Sequence, residues 1–268
     1  MYKLIALDMD GTLLSSDKTI SRRNREAIAS AQAKGVTVVL ASGRPPQGMK
    51  PIAQQLNMTS ENDFIVCYNG SMVFRASDDK IIRENLIRGR DAKKTSQLAK
   101  RLNVHHHAFS KTKGLITPEN NPYTGHEATV NGVEINEYDF TQLEDDEVII
   151  KTMFADSEQV LDKVIAKIPQ EFSEKYTLVR SASIFVEFLH KQSNKGLAVE
   201  SIAKHMGISS EQVICMGDAQ NDHHMIEFAG LGVAMGNACE ETKRRADIIT
   251  DTNDNSGVAQ IIEKFVLS

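Results

Sequence analysis

Tryptophan is absent, and 268 residues contain only six prolines and three cysteines. Cys67, Cys215 and Cys239 are odd in number, widely spaced and without a Cys-x-x-Cys pair. That excludes a disulfide framework and a cysteine-built zinc site, and it fits a reduced compartment. No stretch approaches the roughly 18 apolar residues of a membrane-crossing helix. Asp8 and Asp10 fall where a secretion signal would need its apolar region. No basic block is long enough to follow a nucleic-acid backbone, and 31 basic against 36 acidic residues leave a net charge of -5. The expectation is a cytoplasmic globular protein with neither nucleic acid nor membrane as partner. What is present fits it: 41% hydrophobic and 25% charged residues, and a length suited to one or two domains.

Several apolar runs are short, continuous and rich in branched residues: Leu4 to Leu7, Val36 to Leu40, Phe64 to Cys67, Val213 to Met216, Leu231 to Met235, and Ile248 to Ile249. Such runs read as strands buried on both faces. Helical patterns lie between them, one from Ser21 to Lys34 with Ala27, Ile28 and Ala31 on one face, another from about Asn194 to Met206. The alternation implies an α/β fold with a doubly wound parallel sheet. From about Glu84 to His190 the rhythm breaks. There the sequence predicts strands at His105 to Phe109, Gly114 to Thr117, Val148 to Phe154 and Ile184 to Leu189. A helix capped by Asp156 places Val160, Leu161, Val164, Ile165 and Ile168 on one side and ends at Pro169. The reading is a core of residues 1–83 and 191–268 with an inserted α+β domain at 84–190.

Three strand ends carry unusual chemistry. The first runs into Asp8-Met9-Asp10-Gly11-Thr12. Two carboxylates this close repel by roughly 4 kcal/mol at an effective dielectric near 20, unless a cation or proton intervenes. At average composition the pattern Asp-x-Asp-Gly-Thr arises by chance in only about three such chains per thousand, so a plain surface turn is disfavoured. The second strand ends in Ser42-Gly43-Arg44, which offers a hydroxyl, an approachable backbone and a guanidinium to a phosphate. The fourth run ends in Gly217-Asp218-Ala219-Gln220-Asn221-Asp222. Open α/β sheets bind ligands outside the carboxyl ends of their strands, so these loops can converge. Lys195 opens a helix whose N-terminal amides also favour an anion.

These four segments, in this order, resemble the haloacid dehalogenase superfamily of phosphohydrolases, and the insertion resembles the α/β cap (type IIB) of its Cof subfamily. Segments such as IALDMDGTLL, VVLASGRP, NKG and MGDAQND are similar to a bacterial sugar-phosphate phosphatase of that subfamily. The resemblance implies a Mg²⁺-dependent phosphomonoesterase for small phosphorylated metabolites. Asp8 would be the nucleophile, forming an aspartyl-phosphate, and Asp10 the general acid and then base. Asp8, the main-chain carbonyl of Asp10, and Asp218 would hold Mg²⁺, with Asp222 acting through water or orienting Lys195. Thr12, Ser42, Gly43 and Lys195 would hold the phosphoryl oxygens, with Asn221 as a further donor. Leu13 to Ile20 would be a mobile flap, and the insertion would close over the site and select substrate. A phosphomutase or phosphotransferase is the nearest alternative, and a phospho-accepting module without turnover the next.

Other features carry less. Gly43 to Lys50 misses the P-loop pattern, because two prolines remove amide donors and no Lys-Ser/Thr pair follows the second glycine. Gly230-Leu231-Gly232 precedes a strand instead of following one, unlike a dinucleotide fingerprint. His105-His106-His107 reads as a partly solvated strand with His105 and His107 on one face. His223 and His224 read as helix-surface residues, and Asn69-Gly70 reads first as a tight turn.

Overall fold

Leu4–Asp8, five consecutive buried residues, form the first strand (β1) of a computed structural model that describes all 268 residues. The chain continues through α1 (Arg22–Ala33), β2 (Thr37–Ala41), α2 (Pro46–Gln55), β3 (Phe64–Cys67), β4 (Met72–Arg75) and β5 (Ile81–Glu84). An inserted segment then carries β6 (Ile87–Arg88), α3 (Gly89–Leu102), β7 (His105–Ser110), β8 (Gly114–Thr117), α4 (Pro122–Asn131) and β9 (Ile135–Glu137). It goes on through β10 (Val148–Ala155), α5 (Glu158–Ile165), α6 (Gln170–Lys175), β11 (Tyr176–Ala182) and β12 (Phe185–His190). The last stretch returns with α7 (Lys195–His205), β13 (Val213–Gly217), α8 (His223–Phe228), β14 (Leu231–Ala234), α9 (Glu240–Arg245), β15 (Ile248–Ile249) and α10 (Gly257–Ile262). Two units result: Met1–Glu84 with Asn194–Ser268, and Asn85–Ser193.

In the first unit the sheet order is β15-β14-β13-β1-β2-β3-β4-β5, parallel through β3 and antiparallel across β4 and β5. Leu4, Ala6, Val39, Ala41, Val213 and Cys215 turn one face toward Ala198, Val199 and Ile202 of α7. Their strand neighbours Ile5, Leu7, Val38 and Leu40 are equally buried on the other face. Apolar residues on both sides of a strand are what a parallel sheet with helices on each face demands. The β4–β5 hairpin extension and α2 lie outside the expected pattern. Helix α2 starts with Pro46 at its first turn, where a missing N–H costs nothing, so the two prolines that break a phosphate loop begin a helix instead.

In the second unit the strand order is β11-β12-β10-β7-β8-β9, with β6 also paired to β10. Ile149, Phe154, Val186 and Phe188 form its core with Leu98 of α3, Leu161 of α5 and Phe172 of α6. Helix α5 is shorter than expected. Ser157 takes the capping position, the Asp156 carboxylate accepts from the Ser157 amide at 2.7 Å, and Ile165 at the final helical position is 40% exposed.

The histidine run alternates as a strand should, but only His105 is exposed. His106 and His107 are buried because helices cover both faces here. His106 Nε2 joins Thr95 and Thr152 hydroxyls at 3.1 and 2.5 Å, whereas His107 Nδ1 meets Thr124 of α4 at 3.0 Å. Burial drives the His106 pKa down to about 3 and His107 well below the ordinary histidine range. The native unit therefore holds these rings neutral, and an unfolded chain takes up protons that the native one refuses. Stability falls as pH drops below about 6.5, and His106 alone costs about 2 kcal/mol by pH 5. Urea unfolding at pH 7 and pH 5 checks this. His106→Leu should shrink the pH-dependent part of the midpoint, and an unchanged pH dependence would refute the assignment.

Candidate active site

The carboxyl ends of β13, β1, β2 and β3 stand side by side, with Leu7 paired to Met216 and Asp8 to Ala41. This register brings Asp8, Ser42, Asn69 and Asp218 to one edge of the sheet although they are far apart in sequence. Carboxylate oxygens of Asp8, Asp218 and Asp222 lie within 4.8 Å of one another. Among them the fully buried Lys195 places Nζ 2.5 Å from Asp8 Oδ1 and 2.6 Å from Asp222 Oδ1. The backbone reason is the α7 start: Asn194 caps the helix by accepting from the Leu197 amide at 2.8 Å, so Lys195 leaves the first turn.

One ammonium does not balance three carboxylates. Burial and then the Asp222 charge push the Asp8 carboxyl well above the usual carboxylate range, against the pull of Lys195. Burial and Asp222 likewise raise Asp218 to about 6. Burial opposes the charge on Lys195, but Asp222 and Asp8 more than offset it and hold the ammonium charged. Asp222 spends its other oxygen on the loop, accepting from the amides of Asp218 and Ala219 at 3.0 Å each. Gly11, at φ +84°, runs so close to this cluster that a Cβ would stand 2.5 Å from Asp218 Oδ2, so only glycine fits.

Asp10 belongs to a different cluster. Its carboxylate accepts from Arg44 Nε and Nη2 at 2.8 and 2.7 Å and from Lys18 Nζ at 2.9 Å. Burial would raise its pKa, but the bonds from Arg44 and Lys18 bring it below the ordinary value. Arg44, expected at a phosphate, is thus committed to Asp10. Thr12 is similarly diverted: its hydroxyl donates to Asp218 Oδ1 at 2.9 Å and its amide to the Met9 carbonyl at 3.3 Å. Ser42 accepts from the Arg44 amide through Oγ, which leaves its own O–H available, and the Gly43 amide is not drawn into the sheet. Asn221 donates to Asn69 Oδ1 at 3.0 Å, so Asn69 is part of the site and not simply a turn residue.

Two further groups were not legible beforehand. Lys18, at φ 63°, sits in the Leu13–Ile20 segment, which bridges back on itself through Asp10, Leu14 and Ile20. That segment is held from the other end of the chain. Asn237 donates to the Gly11 carbonyl at 2.8 Å, Asn253 to the Leu14 carbonyl at 2.9 Å, and Asp254 accepts from the Ser16 amide and hydroxyl at 2.7 Å each. His223, expected on a helix surface, is buried and pairs with Thr242 at 2.9 Å, while His224 is exposed. The capping turn at Asp222 rotates His223 inward, toward α9.

Residues 5–262 match the family model of haloacid dehalogenase-like hydrolases. The chain belongs to that family. YxeH of Bacillus subtilis (strain 168), a phosphatase by name, is 38% identical over the full length of both chains. Among solved structures, a haloacid dehalogenase-like hydrolase from Bacteroides thetaiotaomicron is 36% identical with a TM-score of 0.84, covering 98% of this chain and 99% of its own. A HAD subclass IIB sugar phosphatase is 25% identical with a TM-score of 0.83, covering 99% and 100%. The fold, the family and the relatives agree: this hydrolase is a phosphatase of the haloacid dehalogenase type. No helix is long and apolar enough to cross a membrane.

Proposed function

We propose that the protein is a Mg²⁺-dependent phosphomonoesterase for small phosphorylated metabolites, with sugar phosphates as the leading class, working through an aspartyl-phosphate on Asp8. The observation that carries this reading is the cluster of buried Asp8 and Asp222 with half-buried Asp218, in which a single ammonium pairs with only the first two. An all-oxygen donor set with uncompensated negative charge suits a hard divalent cation. Asp8, Asp218 and the main-chain carbonyl of Asp10 would hold it, while Asp222 orients Lys195. When bound, the cation supplies charge neutralisation that lets a phosphate dianion approach an aspartate.

In the first half-reaction an Asp8 oxygen attacks phosphorus, the bond to the ester oxygen breaks, and Asp10 delivers a proton to that oxygen. In the second, water attacks phosphorus, Asp10 accepts its proton, and the bond to Asp8 breaks. Asp10 is held as a carboxylate by Arg44 and Lys18. Both cations would transfer part of their hydrogen bonding to an incoming phosphate, so that Asp10 takes up from solvent, as the ester binds, the proton it then delivers to the leaving oxygen. Ser42 O–H and the Gly43 amide are the remaining donors to phosphoryl oxygens. Support for a sugar phosphate comes from the 25%-identical subclass IIB sugar phosphatase.

The test is phosphate release from a panel of sugar phosphates and p-nitrophenyl phosphate. Chelation by EDTA should lower the rate at least about a hundredfold, equivalent to roughly 3 kcal/mol of lost charge stabilisation, and added Mg²⁺ should restore it. Phosphate should appear mole for mole with ester consumed. Formation of a positional isomer instead would identify a mutase, and folded protein inert toward every ester with Mg²⁺ present would overturn the reading.

A further inference from the structure

Arg90, Lys94, Gln97 and Arg101 follow one another along α3 at spacings of four, three and four, which aligns them on one helix face. At 1.5 Å per residue the stripe is ~16 Å long. Lys93, one position out of register, pairs with Asp145 at 2.9 Å. The three stripe cations have no carboxylate partner, although all are exposed. Two adjoining hollows run beside them. One, of about 190 Å³, lies between Lys94, Gln97 and Arg101 on α3 and Phe172, Lys175 and Tyr176 on α6 and β11. The other, of about 380 Å³, continues from the shared Lys175 and Tyr176 to Arg88, Arg90 and His190.

Acidic groups here are few and largely occupied. The Asp91 carboxylate accepts from the Tyr176 hydroxyl at 2.7 Å, from the Arg88 amide at 2.9 Å and from Lys175. Burial opposes that charge, but these bonds keep the carboxyl below its ordinary pKa. Glu171 is the one uncommitted carboxylate on the wall. The buried rings of Phe172 and Tyr176 make a firm apolar floor. Concentrating unpaired cations costs self-repulsion unless an anion is available, and a chain of net charge -5 has no general surplus of cations to scatter.

We propose that the groove between α3 and α6 is a second binding site, for a compact, multiply charged anion of the diphosphate or phosphorylated-metabolite type. The Arg101 fork and the Lys94 ammonium suit phosphate oxygens, the Gln97 amide adds a neutral donor, and Arg90 in the adjoining hollow adds positive field. The hollows have the volume of a small ligand, not of an extended polymer. Every residue involved lies in the second unit, and none belongs to the aspartate cluster, so the site stands or falls independently of the proposed reaction.

Calorimetric titration of the full chain with sodium pyrophosphate, in EDTA at low ionic strength, tests it. Without divalent cations the three clustered aspartates repel the probe, so uptake reports the groove. One site per chain is expected, weakening steeply as salt rises from about 50 to about 200 mM. Lys94→Glu with Arg101→Glu should weaken binding by at least about tenfold, because two charge-assisted contacts become repulsive. Lys94→Arg with Arg101→Lys should stay within about threefold of the parent. Basal p-nitrophenyl phosphate hydrolysis should be unchanged in both. If the reversal misfolds, as judged by circular dichroism, Lys94→Gln with Arg101→Gln carries the same expectation. Absent binding, binding indifferent to these substitutions, or tighter binding of an acidic peptide than of pyrophosphate would each overturn the proposal.

Discussion

Asp8→Asn should lower phosphate release by on the order of 10⁴-fold or more, the scale seen when a nucleophile is removed from a cooperating catalytic group. The loss should not come from unfolding. Asp8 is 6% exposed, and its charge is disfavoured by burial and by Asp222. A group whose native pKa is raised above its unfolded value costs stability once pH exceeds the unfolded value, so a neutral amide removes that cost at pH 7. Metal-free Asp8→Asn is therefore expected to melt at the same temperature as the parent or higher. Calorimetric melting in EDTA beside the activity assay separates the cases. An inactive variant that melts far below the parent would mean the carboxylate is a structural partner of Lys195 more than a nucleophile.

Lys195→Met should do the reverse, damaging stability as well as turnover. The ammonium is wholly buried and touches two carboxylates, so its removal strands both in a low-dielectric site. Breaking a buried pair in this way costs about 3–5 kcal/mol. Acidification should recover part of it, since the stranded carboxyls then bind protons more readily in the native state than in the unfolded one. Urea midpoints at pH 7 and pH 5 give the answer: a parental midpoint at pH 7 would show that the carboxylates do not depend on Lys195.

The sequence announces the first unit through its strand ends. Asp8, Ser42 and Asp218 follow continuous apolar runs, and since such a run stops where polar residues begin, the strand ends could be placed to within a residue or two. Which donor serves which acceptor was not legible. A guanidinium recognises a carboxylate and a phosphate with the same geometry, so nothing in Ser42-Gly43-Arg44 distinguishes a phosphate contact from the Asp10 pairing observed. Thr12 is ambiguous for the same reason. In the second unit α4 escaped notice, because Pro122–Asn131 has no continuous apolar face and buries Thr124, Glu127 and Asn131 instead. Its presence turns His107 and Lys151 from surface residues into buried ones, Lys151 lying 2.9 Å from Glu187 and 3.3 Å from Glu127.

The central strand β1 is flanked by β2 on one side and by β13 on the other. One neighbour leaves the ribosome within a few dozen residues of β1, the other only after the whole of the second unit has been made. During synthesis one edge of the strand bearing Asp8 therefore stays unpaired, with apolar Leu4, Ile5 and Leu7 in need of cover, while the second unit already has all of its own strands. Chain order thus lets the inserted unit close first, while the aspartate cluster needs Lys195, Asp218 and Asp222, all of which follow that unit in sequence. A nascent chain halted before α7 holds Asp8 alone of that cluster, with neither the lysine that pairs with it nor the strand that borders its own.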